Sequence, residues 1–391
     1  MIVDKKKALL FLIFLSGILC CILGSTQIGP VNFHFYIVFF NFFIILLFFL
    51  HYGKITKFYI VIPVIFILTI NFMRPVGQFG YIQNFYTLLP FLFFLMASSI
   101  KFSEEFDFYL KRVVKTSSYT SLVLFFLWVV FGLTQINTRW SCIFFALVIL
   151  LNLILNYSRS SLIVTIAAGA CLIYAGSRGV SLALLGALIF TYLATKYKLI
   201  YSIPIFFFLI LLFLIKIDLI LDYIFKIDVL RDRTFYDGVY SFDKIKSFEF
   251  NTSGRDVAWP TYWQEISSRK YNLFELLFGS GSGSVSDFGV NKIGPSWFHP
   301  HNEIIRLIFD YGYFGLIVIL LFWFSIIFLV FMKSRDIKVK QIVFSISCFV
   351  FIIMLTDNPF MYPIYFGNIS LFLLGYCYSK SLQSDIKGFS H

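Results

Sequence analysis

Apolar runs of roughly 15 to 25 residues alternate with short polar connectors along most of the chain, without the period-two alternation of membrane strands. Inside a bilayer no water satisfies the backbone, so such runs must be helical. The pattern predicts about twelve spanning helices, at 8–24, 31–50, 58–73, 85–100, 117–133, 140–156, 161–176, 180–195, 199–217, 303–332, 341–356 and 363–379. One connector, residues 218–302, is far longer than "HYGKITK" or "KSRDIKVK". The chain therefore divides into 1–217 with nine helices, 218–302 as a large loop, and 303–391 with three helices and a tail. The expected fold class is all-α and polytopic, with "MIVDKKKALLFLIF" read as a retained first anchor rather than a cleaved leader.

Charge orients the helices. With the amino terminus inside, alternate short connectors carry eighteen basic residues, from Lys5 to Lys387, while the opposite connectors carry Arg74, Arg139 and Arg178 alone. By the positive-inside rule both termini are cytoplasmic and the large loop lies outside. The same bias accounts for most of the net charge of +12 without a nucleic-acid partner.

Composition agrees with a membrane protein: 59% hydrophobic, 21% aromatic and only 13% charged. All six cysteines fall inside apolar runs with no metal-ligand spacing, so they read as packing residues. No HExxH occurs, and "EEFDF" at 104–108 lies on the inner side, so a metal centre is not expected.

A few polar residues resist a purely structural reading. Arg159 fits an inner-face anchor, whereas Arg178 breaks the charge rule in a tight hairpin, either as an arginine snorkelling at a turn or as one whose cost near hydrocarbon an anion offsets. In "NTSGRDVAWP", Asn251, Thr252 or Ser253 can cap a helix beginning near Gly254 or Arg255, with Pro260 limiting or kinking its first turns. Arg255 then either faces an oxyanion beside the free amides or pairs with Asp256 or Glu265. "GSGSGS" at 279–284 is either a flexible linker or a tight turn. In "WFHPHNEIIRLIFDYGYFG", Asn302 can cap a helix, Glu303 suits its positive end, and Arg306 and Asp310 are spaced to pair. His301 is left as either an idle residue at the helix entry or a proton acceptor, with His299 a second candidate. Trp259, Tyr262, Trp263 and Trp297 serve either as interface anchors or as a sugar platform.

His301-Asn302, nine residues, Gly312, two residues and Gly315 resemble the signature of bacterial O-antigen ligases and the related O-antigen polymerases. "SGRDVAW" resembles the SGR segment of that family's periplasmic loop, "LLFGSGSGS" its Gly-rich turn, and "GSRGVSLALLGAL" the SRG piece opening an earlier helix. The resemblance covers residues 176–315 in order; the first 175 match in hydropathy only. It implies a GT-C-like membrane glycosyltransferase of the bacterial inner membrane, working without nucleotide sugar, cofactor or essential metal. Arg178 and Arg255 would hold the diphosphate of a polyprenyl-linked glycan, and His301 would serve the acceptor. His299, Asn302, Arg306, Trp259 and Trp263 would complete the substrate site. Membrane lipid and a chain-length regulator are the implied partners.

The chemistry suits those groups. Diphosphate is already a stable leaving anion, so the transition state asks for cations around it and for a base at the acceptor hydroxyl. The expected activity is polymerisation of O-antigen repeats, with ligation to lipid A core or capsule polymerisation as alternatives. A lipid-linked glycan flippase is the competing class, disfavoured because the chain shows no internal repeat.

Overall fold

The computed structural model describes residues 4–24, 26–28, 31–52, 58–77, 79–131, 138–174, 177–196, 255–294, 299–361 and 363–388. These residues form α1 (Lys5–Leu23), α2 (Phe33–Tyr52), α3 (Phe58–Phe72), α4 (Gly80–Ser98), α5 (Glu104–Phe131), α6 (Thr138–Leu155), α7 (Arg159–Tyr174) and α8 (Arg178–Lys196). Further along the chain come α9 (Arg255–Ser268), α10 (Leu273–Phe278), α11 (Ser284–Phe288), α12 (Glu303–Lys333), α13 (Ile337–Thr356) and α14 (Asn368–Gly388). The exception to helix is a two-residue antiparallel pairing of β1 (Gln27–Ile28) with β2 (Val31–Asn32). Helices cover eleven of the segments read from the hydrophobic pattern; 199–217 and the first part of the large loop lie outside the described residues.

This is the architecture of a multi-pass, all-helical membrane protein. α1, α2, α4, α12 and α13 are long and apolar enough to cross a bilayer, and α3, α6, α7 and α8 are shorter apolar helices. Large apolar side chains stay exposed on the outer faces: Phe39, Phe43 and Leu50 on α2, Phe66 on α3, Ile163 and Ile166 on α7, Phe328 on α12. In water such a surface would aggregate, whereas lipid tails cover it at no cost.

Close helix approaches rest on small residues, as expected where packing replaces the hydrophobic effect. A Cβ on Gly375 of α14 would lie 2.5 Å from the Phe94 carbonyl oxygen of α4, and one on Gly186 of α8 would lie 2.5 Å from Ile352 of α13. Aromatic rings fill the centre, Phe322 meeting Phe91 and Phe94 edge-on at 5.1 and 5.0 Å.

The two ends differ. At one, basic and acidic groups interleave: Lys6 Nζ donates to the Lys101 carbonyl at 2.7 Å, Lys7 pairs with Glu105, and Lys380 Nζ meets Asp107 at 2.6 Å. At the other end, helix α12 carries an extra piece. At 31 residues it is about 46 Å long, more than hydrocarbon needs, and it breaks at Gly312, whose φ of 72° and ψ of 179° interrupt the helix. The break leaves 313–333 at spanning length and 303–311 as a short helix turned onto the large loop.

Candidate active site

The described part of the large loop is seated on the bundle by its glycines. Gly279, Gly281 and Gly283 all have positive φ, and a Cβ on Gly281 would sit 2.1 Å from the Arg74 carbonyl oxygen. The Gly-rich run is therefore a tight turn, and what it approaches is protein backbone. Ser282 donates through Oγ to the Gly80 carbonyl at 2.8 Å, and Val76 N–H donates to the Ser282 carbonyl at 2.8 Å. On the other flank Gly312 has its own reason to be glycine, since a Cβ there would meet the Leu277 carbonyl oxygen at 2.2 Å.

Above this turn, α9 spans Arg255–Ser268 and runs through Pro260, with the residues before Arg255 outside those described. Proline at the sixth position forgoes the one bond its amide would give the Asp256 carbonyl, and the helix continues past it. Trp259, one turn after Arg255, is buried, and its Nε1–H donates to the Pro300 carbonyl at 2.8 Å. That bond sets the start of α9 beside the residue preceding His301. Trp263, one further turn along, is 39% exposed and can still offer a ring face. Trp297 lies outside the described residues.

His301 adopts φ 50°, the one non-glycine residue with positive φ among the described residues. Its Nδ1 lies 3.3 Å from Asp357 Oδ1, and both side chains are partly open to the outside. A proton on Nδ1 given to the carboxylate leaves Nε2 as the basic nitrogen. Asp357 is itself held, because the Asn358 N–H donates to its Oδ1 at 2.8 Å. Asn302 caps α12, its Oδ1 accepting from Ile305 N–H at 3.1 Å, as expected from sequence. His299 is a weaker base: burial, with help from nearby His301 and Arg306 and against Asp357, pushes its imidazole down to about 3.

Beneath the histidine runs a buried polar chain. Asn358 Nδ2 donates to Glu303 Oε2 at 3.2 Å, and Glu303 Oε1 accepts from Arg306 Nε at 2.9 Å. Arg306 Nη1 stands 3.7 Å from Asp310 Oδ2, while Asp310 Oδ1 accepts from Val285 N–H at 2.9 Å and from Ser284 Oγ at 3.0 Å. Arg306 pairs with Asp310 as its spacing anticipates, but it is fully enclosed and lies closer to Glu303. Its geometry suits holding 303–311 against the loop more than touching a substrate.

The start of α8 reaches the same place from another direction. A Cβ on Gly179 would lie 2.6 Å from Thr356 Oγ1, so the residue after Arg178 packs on the residue before Asp357. The backbone at Arg178 and His301 thus approaches Thr356 and Asp357, and the Trp259 indole brings α9 to Pro300, next to His301. The amino-terminal ends of α8 and α12 approach this corner, and each contributes partial positive charge. An anionic group brought to this corner is favoured before any side chain is counted.

Three residues of this region carry no signal in the signature. Asp357 is one, although "TDNP" at 356–359 is a polar break between two apolar segments and could have flagged it. Arg269, buried, stacks 3.7 Å over the Phe309 ring and donates to the Phe309 carbonyl at 3.1 Å; burial pulls it below the usual arginine range, against Glu265. Arg74 donates to the Gly279 carbonyl at 3.1 Å and lies 4.8 Å over the Phe274 ring. Both arginines fasten the loop, which explains Arg74 on the sparsely basic side.

Comparison with known proteins decides what kind of corner this is. Residues 163–320 match the family model described as O-antigen ligase. Over that stretch the chain is similar to O-antigen ligases. That match bears out the resemblance read from the four motifs. No curated protein matches the chain. The matched stretch contains Arg178, Arg255, His299, His301 and Arg306, and it ends within α12. Asp357, the partner of His301, comes from beyond it.

Proposed function

We propose that the protein is an O-antigen polymerase, a glycosyltransferase joining polyprenyl-diphosphate-linked oligosaccharide repeats at the periplasmic face of the bacterial inner membrane. The coarser function, of O-antigen ligase or polymerase type, follows the family match. The observation that supports glycosyl transfer at this site, by either enzyme, is the His301–Asp357 contact beside the amino-terminal ends of α8 and α12.

In this reaction His301 Nε2 takes the proton of the acceptor hydroxyl as its oxygen attacks the anomeric carbon of the donor sugar. The new glycosidic bond forms while the bond from that carbon to the diphosphate oxygen breaks, and polyprenyl diphosphate leaves with the electron pair. Asp357 steadies the imidazolium. Arg178 and Arg255 take up the growing charge on the diphosphate, where a guanidinium can make two parallel hydrogen bonds. Trp263 offers an exposed ring to the sugar. The scheme calls for no cofactor, and a chain-length regulator is a natural partner for a polymerase.

A second reading, ligase, is favoured by the description of the matched family. Polymerase is preferred because the chain outside the signature region resembles the family in hydropathy alone, as suits substrates that vary between strains. Deleting the gene separates the two. A lipid A core bearing a single repeat means polymerase, and bare core with accumulated polymer means ligase. Transfer by purified protein on a lipid-linked glycan, with no ion gradient, excludes a flippase; absence of transfer under those conditions defeats the enzymatic proposal.

A further inference from the structure

One cavity among the described residues lies away from the candidate active site. It lies at the opposite end, has a volume of about 460 Å³, and is formed where α5, the α6–α7 turn and the start of α13 come together. α13 sets the separation: Lys338 lines the cavity near its first residue, and Thr356 at its last touches the His301 corner, about 30 Å away along twenty residues.

Its lining has one sign of charge. Lys115 and Lys338 stand exposed at the mouth, Asn152 is buried at the wall, and Ser158, Ser160 and Ser161 form one edge. No carboxylate is among the lining residues. The nearest acid in sequence, Asp336, is engaged, its Oδ1 accepting from the Lys338 N–H at 2.8 Å. The serines belong to the entry of α7, where Ser158 Oγ accepts from Ser161 N–H at 3.1 Å and meets Ser160 Oγ at 2.9 Å. Two cations and hydroxyl donors, without a competing anion, suit a phosphate. Tyr157, 81% exposed beside the mouth, is the residue type found at headgroup depth.

We propose that this cavity is a second ligand site, binding a phosphate-bearing headgroup at the basic face, separate from the glycan chemistry. The ligand is the phosphodiester of an anionic phospholipid or a free phosphate, since both present the same oxygens to Lys115 and Lys338. An anionic lipid held there would brace α5, α6, α7 and α13 together at the end away from the reaction.

The test uses the full-length protein purified in a neutral maltoside detergent and stripped of lipid. Phosphatidylglycerol, phosphatidylcholine and inorganic phosphate are titrated separately, with binding read by native mass spectrometry and by the shift in melting temperature. Phosphatidylglycerol is expected to bind and raise the melting temperature while phosphatidylcholine does not. Lys115→Ala/Lys338→Ala should weaken it by about 30-fold, the loss of two lysine–headgroup attractions. Arg112→Ala/Arg335→Ala removes two exposed charges outside the cavity and should leave binding unchanged. Inorganic phosphate binding with the same lysine dependence would uphold the site and assign it to free phosphate. Absence of binding by both, or equal losses in the two double variants, would overturn the proposal.

Discussion

Asp357 Oδ1 lies 3.3 Å from Nδ1 of His301, although 56 residues separate them in the chain. A carboxylate on Nδ1 fixes the tautomer and orients Nε2, so the pair acts as one unit. Asp357→Ala is expected to lower turnover on a lipid-linked glycan with little change in donor affinity. The loss should fall within the ~10²- to 10⁴-fold that a positioned base contributes, and His301→Ala should lose at least as much. Steady-state kinetics of both variants in detergent check this. Full turnover in Asp357→Ala would show the contact to be structural.

His301 sits at φ 50°, a region that asparagine tolerates far better than most residues. His301→Asn therefore separates conformation from chemistry. The variant should reach the membrane and melt like the parent, yet make no polymer. If it supports polymer formation in a deletion strain, the imidazole is not the base.

How much of this was legible in the sequence follows from the physics of each signal. Helices were visible because a bilayer demands long apolar runs, and the cap at Asn302 because capping is local. The role of Gly312 was only half visible. Its spacing to Gly315 reads as close packing, but a positive φ and a carbonyl of Leu277 against it are tertiary facts. Likewise "TDNP" is an ordinary turn until α13 brings it to His301, and Glu303 looked like a charge for the helix dipole until Asn358 and Arg306 enclosed it. Long-range pairing of polar residues leaves no period in a sequence.

Gly312→Ala tests the seat of the loop. Its backbone lies in a region open in practice to glycine, costing a side chain ~1 to 3 kcal/mol, and the new Cβ would press on the Leu277 carbonyl at 2.2 Å. The loop should lift from the bundle, seen as faster protease cleavage within 255–294 in outward-facing vesicles and as reduced activity. Unaltered cleavage would mean that the break in α12 is not set by this contact.

Arg178 opens α8 and Arg255 stands one turn before Trp259 on α9, and in the proposed reaction both serve the diphosphate, so their loss should be chemical and not structural. Arg178→Ala and Arg255→Ala are expected to cost ~10²- to 10³-fold in turnover, as for removal of one donor from a charge-stabilising site. Lysine at either position should recover little, because a point charge cannot bind diphosphate through two parallel bonds. Arg159→Ala, at the start of α7 on the opposite end, should keep wild-type polymer length by gel analysis. Normal polymer from either of the first two would remove that arginine from the mechanism.

The last prediction concerns acid. His299 is held neutral, its imidazole pushed from an ordinary 6.5 down to about 3 by burial. An opened segment takes up a proton once the pH falls below 6.5, while the closed one refuses it until about 3. The closed state's advantage is therefore complete above 6.5 and shrinks as pH drops, by ~1.4 kcal/mol per pH unit or about 2 kcal/mol by pH 5. Thermal unfolding at pH 7.5 and pH 5 should show a larger fall for the parent than for His299→Asn, whose side chain cannot charge. Equal falls would mean that the imidazole is already hydrated in the closed protein, and that acid sensitivity at this corner has another source.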